Sequence, residues 1–368
     1  MESFGVSWPP RNEGIIYRDV LPSTFSTSSV LDFYCTKYNC SAPREGWQQR
    51  IQNGQITVDG EVVKAFDTTL RAGNCLTYHR LPWTEPPAPW RLQILYEDDH
   101  LLAVNKPSGL QVLPGGLYQQ RTVLTQLMWR CQAAAANVST LDYPCISQPS
   151  PVHRLGRGTS GVLLCAKTKA AKSKLSLDLA MGASSEPFSF AEKRIMKIYR
   201  ALVSGIIDTD ETFIKEPIGT IKYPGVLKGL YAATPRGKPS QSKVVVLQRD
   251  LRNNRSLVQV EIFSGRPHQI RIHLAYLGHP LISDPLYVSG GKPEMSSLAL
   301  LEESQQSEVN HDDGGYLKPA NPVPGDCGYH LHAHKLMLIH PITEKPLNIV
   351  APCPPTLCMP GEEFAVEC

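Results

Sequence analysis

Apolar and polar positions along the chain repeat with two periods, and the switches between them mark out its elements. From about Thr24 to Arg80, helical and strand-like spacing alternate around Gln52 to Val63. There Ile56 and Val58 share one strand face, and the turn dipeptides Asn53-Gly54 and Asp59-Gly60 close the strand at both ends. This predicts a helix feeding a hairpin. Pro82-Trp83-Thr84-Glu85-Pro86-Pro87-Ala88-Pro89 suits neither a helix nor a central strand, so a stiff linker is expected over 82–90. Beyond it, 91–104 reads as two strands joined at Glu97-Asp98-Asp99, and Val123 to Ala136 as a helix. The unbroken apolar run Val162 to Ala166 reads as a strand, and Ala170 to Leu179 as a helix. Strands are also expected over 198–203, 244–247 and 257–263, and order is expected again from 330 to 350. Strands and helices interleave without a strict βαβ rhythm, which makes the class α+β. Residues 288–329 are rich in Ser, Gly, Glu, Asp and Pro and predict a mobile surface insertion.

Length and charge narrow the picture. A chain of 368 residues accommodates one large body and one small module. A formal charge of +3 means that a nucleic-acid partner must meet a locally basic face, not a polycation. No apolar run is long enough to span a membrane, and the start of the chain shows neither a signal core nor an Arg-rich transit pattern, so cytoplasm or nucleus is expected. The ten cysteines are scattered, and the pairs Cys35/Cys40 and Cys353/Cys358 lack the two-residue spacing of metal knuckles, which reads as reduced thiols. His330, His332 and His334 alternate and share one strand face, but no acid or cysteine adjoins them in sequence. They read as a strand edge, and no metal or other cofactor is expected.

Two segments carry candidate chemistry. His153-Arg154-Leu155-Gly156-Arg157-Gly158-Thr159-Ser160-Gly161 is a loop that must approach something closely, and its arginines suit phosphates. By composition alone, a Gly-rich turn with solvated arginines fits equally well. In Ser264 to Tyr287, with Arg266-Pro267-His268-Gln269 at its head, Ile270, Leu274 and Leu277 recur at helical spacing and leave Arg271 partly sheltered. A sheltered arginine cannot shed its proton, so it needs an anionic partner.

The blocks from Ile94 to Leu110, from His153-Arg154-Leu155 to Thr159-Ser160-Gly161, from Lys197 to Val203 and from Gly265 to Tyr287 together resemble the RluA-type RNA pseudouridine synthases. Leu331-His332-Ala333-His334 extends the resemblance, which covers about Arg91 to Pro355. More weakly, 24–81 resembles the S-four-like RNA-binding module that often precedes that catalytic domain. The resemblance implies a largely antiparallel mixed sheet over 91–355, an RNA substrate such as tRNA or rRNA, and an isomerisation without cofactor or metal. It implies that Arg154 holds a flipped nucleotide, that Tyr199 stacks on the base and takes part in proton transfer, and that Arg271 pairs with the catalytic carboxylate. His153, Arg157, Arg266 and His268 are further RNA-facing candidates, and Arg271 is expected to share one cleft with the signature loop.

One position breaks the pattern. The family's loop is written HRLDxxTSG, and where its aspartate stands this chain has Gly156. That carboxylate either attacks the sugar or takes a proton from it, and glycine does neither. Two outcomes follow: an active synthase using another acid, for which Asp142 and Asp178 are the nearby but poorly placed choices, or a catalytically silent relative that binds RNA. With its partner missing, Arg271 is expected to be unpaired, and Gly156→Asp to restore the pair and raise stability.

Overall fold

The computed structural model describes residues 2–136, 148–181, 194–224, 226–294, 311–318, 323 and 325–362. A large sheet runs in the order Ser3–Phe4, Leu92–Glu97, Leu101–Lys106, Ser160–Ala166, Leu331–Ile339, Ile195–Ser204, Arg255–Ile262, Ser242–Asp250, Glu211–Ile214. Of its pairings, Ser160–Ala166 with Leu331–Ile339 is parallel and the others are antiparallel. This is the expected α+β class with a mixed, largely antiparallel sheet.

Both faces of the sheet are covered, which explains the unbroken apolar run at its centre. Because side chains alternate across a strand, Leu102, Val104, Leu163 and Cys165 enter one core while Leu101, Ala103, Val162 and Leu164 enter the other. Taking the helices in chain order, α1 spans Val30–Lys37, α2 Arg44–Gln52, α3 Val123–Ala136, α4 Lys169–Met181 and α5 Gln269–Tyr276. Val123 and Leu127 of α3 join Ile270 and Leu274 of α5 on the first face, and Ala171 and Leu175 of α4 cover the second. Each such fully buried aliphatic side chain contributes about 1.5–3 kcal/mol.

The N-terminal part forms its own layer. Ile15–Val20, Cys75–Arg80, Ile56–Val58 and Glu61–Val62 make a four-stranded sheet, so the module draws in residues ahead of Thr24. Helix α1 starts where Ser29 Oγ accepts the Asp32 amide, and the hairpin turns through Asp59 and Gly60, both at positive φ. Trp47 of α2 stacks on Tyr34 of α1 at 4.6 Å, in a core that also takes Tyr316 from the far part of the chain.

Two segments differ from their expectation. The proline-rich run is packed down: Trp83 is buried, and the buried Glu85 carboxylate accepts the backbone amides of Gln119, Gln120 and Arg121 at 2.8–3.0 Å. Of the expected insertion, 295–310, 319–322 and 324 lie outside the described residues. The part at 311–318 is anchored: buried Asp313 pairs with Arg50 at 3.3 Å and also with Arg80, and Tyr316 is in the module's core. Low apolar content hid these contacts, because a few buried side chains hold the segment. Among the described residues no helix is long and apolar enough to cross a membrane.

Candidate active site

The signature loop lies just ahead of the central strand Ser160–Ala166 and is held from below by the Asn105 to Gly109 turn. Lys106 is fully buried, and its Nζ donates to the carbonyls of Leu110, Pro107 and Arg157 at 2.7, 2.9 and 3.1 Å. Ser108 Oγ donates to Gly158 O at 2.7 Å and the Gly109 amide to Arg157 O at 2.9 Å. Burial pulls the Lys106 ammonium down to about 7. This lysine and serine fall inside the Ile94 to Leu110 block, and their work is to shape the loop.

From above, residues 325–329 fold onto the same loop. A Cβ on Gly158 would stand 2.6 Å from Asp326 O and 2.8 Å from the Tyr329 ring, so only glycine fits there. A Cβ on Gly156 would stand 2.9 Å from the Tyr329 hydroxyl, which also lies 3.3 Å from Thr159 Oγ1. Position 156 is therefore a glycine with a phenol leaning over it.

Arg271 lies across the same tyrosine, its guanidinium carbon 4.3 Å from the Tyr329 ring centroid. Signature loop and Arg271 meet on one residue. Arg271 does not lack an anion, however: Nε and Nη2 each donate to the Asp284 carboxylate at 2.7 Å, a buried bidentate pair, and Nη1 alone has no acceptor among the described residues. The expectation of an unpaired guanidinium is corrected. Asp284 lies near the end of the Gly265 to Tyr287 block, but spacing gave no reason to aim it at Arg271.

Tyr199 sits on Ile195–Ser204 where the pairing with Leu331–Ile339 shifts register between Ile198 and Arg200, an irregularity of the kind that re-aims a side chain. It is buried in the α5-side core, makes no hydrogen bond among the described residues, and burial raises its phenol well above the ordinary value, so it stays protonated. His153 Nε2 accepts the Leu164 amide at 3.0 Å, and burial, with Lys197 nearby, holds it down to about 3. His268, at φ +56° ahead of α5, meets the Tyr287 hydroxyl at 2.9 Å through Nδ1, and burial followed by the Arg271 charge lowers it to about 4. Both histidines are neutral parts of the framework at ordinary pH.

The arginines divide. Arg154 is exposed and has no polar partner among the described residues. Arg157 is occupied: Nε meets Asp326 Oδ1 at 2.8 Å and Nη1 donates to the Tyr118 hydroxyl at 2.8 Å. Arg266 Nε donates to Pro239 O at 3.1 Å. Of the two acids weighed as replacements, Asp142 lies outside the described residues. Asp178 is on α4, on the opposite face of the sheet from α5, and pairs with Arg194 at 3.3 Å. The carboxylate that reaches the loop is Asp326, whose side chain is 45 % exposed. It was missed because it falls in the segment read as mobile.

A cleft of about 910 Å³ runs beside the loop, lined in part by Trp90, Arg91, Asn105, Ser160 and His332. It shares Lys106, Gly158 and Tyr329 with the site but reaches none of Gly156, Tyr199 and Arg271. Its far wall also corrects the reading of the alternating histidines: Cys353, distant in sequence, packs against His332 and His334, because Ala351 to Cys353 runs on beside their strand.

Residues 100–276 match the family model described as RNA pseudouridylate synthase. The chain is 55 % identical over 364 residues to RNA pseudouridine synthase 5 of Arabidopsis thaliana, covering 97 % of each. The chain belongs to the RNA pseudouridine synthases. It is also 31 % identical over 300 residues to ribosomal large subunit pseudouridine synthase D of Pseudomonas aeruginosa, covering 76 % of this chain and 83 % of that one. Among solved structures, Human RNA Pseudouridylate Synthase Domain Containing 1 matches with a TM-score of 0.48 at 23 % identity, covering 77 % of this chain and 94 % of the other. Around position 156 the structure thus brings together the signature loop, Arg271 with Asp284, and Asp326 on the segment 325–329.

Proposed function

We propose that this pseudouridine synthase isomerises uridine in structured RNA, of the rRNA or tRNA kind, and that Asp326 supplies the carboxylate that Gly156 lacks. The observation carrying this reading is that Asp326 presents a half-exposed carboxylate on the segment folded over the signature loop, with Arg157 fixing Oδ1. Its charge is felt at Tyr329, His268 and Lys106, all around the loop.

The reaction breaks the bond from N1 to the ribose carbon and joins C5 to that carbon; C5 gives up its proton and N1 gains one. The base reaches the pocket by flipping, which costs least where RNA is unpaired. Arg154, exposed and without a polar partner among the described residues, meets the backbone of the flipped nucleotide, and Tyr199 lies against the base with a proton to exchange. Asp326 then acts on the ribose, which the carboxylate either attacks or deprotonates.

A second reading has its own observation. The Tyr329 hydroxyl stands over Gly156, where the family's aspartate would grow, which fits a silent RNA-binding relative. The test is pseudouridine formation on a flexible stem-loop RNA by wild type and Asp326→Asn, with RNA binding measured alongside. Turnover that is lost in Asp326→Asn while binding persists supports Asp326. Turnover indifferent to Asp326→Asn places the acid elsewhere, and salt-sensitive binding by an inert wild type establishes the silent reading.

A further inference from the structure

Away from the signature loop's catalytic residues, the end of the chain gathers four side chains suited to a metal. His332 and His334 lie two residues apart on Leu331–Ile339 and project from one face. That strand pairs antiparallel with Pro346–Val350, and the pairing continues as the Ala351 amide donates to His334 O at 2.8 Å, which carries Cys353 alongside. One ligand atom from each of His332, His334 and Cys353 lies within 4.8 Å of the other two. Cys353 Sγ is 3.2 Å from His334 Nδ1, and His332 Nε2 and His334 Nδ1 converge on Ala351 O at 3.3 and 3.0 Å. After the short turn Pro355–Leu357, Cys358 returns its thiol toward Cys353, with Sγ 3.4 Å from Cys353 O.

We propose that His332, His334, Cys353 and Cys358 form a closed tetrahedral site for a thiophilic divalent cation of the zinc class, which pins the C-terminal segment to the strand Leu331–Ile339. Zinc takes imidazole nitrogen at about 2.0 Å and thiolate at about 2.3 Å, so ligand atoms in a tetrahedral site stand roughly 3.3–3.8 Å apart. The contact between Cys353 and His334 is already near that range, and small side-chain rotations complete the set. Four protein ligands leave no open position, so the site is structural.

Two independent features fit a metal with two thiolates. His332 turns its other nitrogen, Nδ1, to Ser160 Oγ at 2.8 Å, the outer hydrogen bond by which a ligating imidazole is oriented. Arg200 is buried next to the cluster, where its charge acts on both histidines and both cysteines. Glu362 takes its Nη2 at 2.8 Å, yet Nε and Nη1 are sealed without an acceptor among the described residues. Neutral thiols accept weakly, whereas metal-bound thiolates are strong acceptors and make a dication's site neutral overall, so the arginine gains partners instead of repelling the ion.

The test uses the full chain purified under reducing conditions. Elemental analysis should find one zinc per chain, and cobalt added to the stripped protein should give sulfur-to-cobalt charge-transfer bands with tetrahedral d–d bands. Cys353→Ser and Cys358→Ser should each remove about half of the charge-transfer intensity, and the double variant all of it, because that intensity follows the thiolate count. Cys358 is only half-buried, so its variant tests the site even if Cys353→Ser does not fold. A folded, reduced chain with no metal and no cobalt spectrum overturns the proposal. So do a disulfide between Cys353 and Cys358 in that preparation and an intensity unchanged in Cys358→Ser.

Discussion

The Arg271 guanidinium stands 4.3 Å from the centre of the Tyr329 ring, and that tyrosine's hydroxyl hangs 2.9 Å from where a side chain at position 156 would begin. Tyr329 thus lies between position 156 and Arg271, touching one with its hydroxyl and the other with its ring. The arginine has turned to Asp284 for its charge partner.

The first prediction follows from that geometry and reverses the sequence-based one. Gly156→Asp restores no missing partner and pushes a side chain into a phenol held by its core, a form of overpacking that costs about 1–3 kcal/mol. We expect a lower melting temperature and no gain in isomerisation. Shortening the ring in Gly156→Asp with Tyr329→Phe should recover part of the stability, and a single variant as stable as wild type would contradict the clash.

The buried pair gives the second. Arg271→Met leaves Asp284 without its guanidinium, and Asp284→Asn weakens the bidentate contact, so each should destabilise, by about 3–5 kcal/mol for outright loss of one partner. Asp284 also accepts the amides of Leu286 and Tyr287 at 2.9 and 3.1 Å, which ties the end of the Gly265 to Tyr287 block to the same pair. Urea titration of the single and double variants should show strong non-additivity. Additive losses would mean that the two residues act separately.

Arg154 and Arg157 should separate cleanly. Arg154→Ala should weaken binding to a stem-loop and lower the salt slope by about 1, with an unchanged melting temperature. Arg157→Ala frees Asp326 and Tyr118, so its first effect should be on stability. Equal effects of the two on the salt slope would overturn this division.

A fourth prediction concerns acid. His153 and His268 are held down to about 3 and about 4 from an ordinary value of 6.5. Above that ordinary value both are neutral folded or unfolded and the pH is without effect through them. Below it the unfolded chain gains up to two protons that the folded chain refuses, so stability falls as pH drops toward 4. Melting temperature followed down this range should show the decline, and His153→Gln should make it shallower. A flat profile would show that these imidazoles take up protons in place.

Much of the scaffold could be read from pattern. The helix expected over Val123 to Ala136 forms over those residues, and the run at Val162 became the central strand because both faces of it are buried. Candidates could be named where one segment carries its own chemistry, as Arg154, Tyr199 and Arg271 were, but their surroundings could not be read. Local pattern fails wherever partners come from far apart in sequence. Asp284 and Arg271, Cys353 and His334, and Asp313 and Arg50 are brought together by sheet and loop topology, which no local spacing encodes. Asp326 and Tyr329 were hidden for a different reason, since a composition poor in large apolar residues says little about a segment pinned by a few polar and aromatic contacts.

Those contacts limit how far the protein can be trimmed. Cutting out 288–329 to obtain a minimal enzyme would strip two buried arginines of the N-terminal layer of their counter-charge at Asp313 and empty the Tyr316 slot beside Trp47. It would also remove Asp326 and Tyr329 from over the signature loop. By composition this stretch is the most expendable part of the chain. In engineering terms its described residues work as two buckles, one at Asp313 and Tyr316 and one at Asp326 and Tyr329, and a shortened protein would have to keep both.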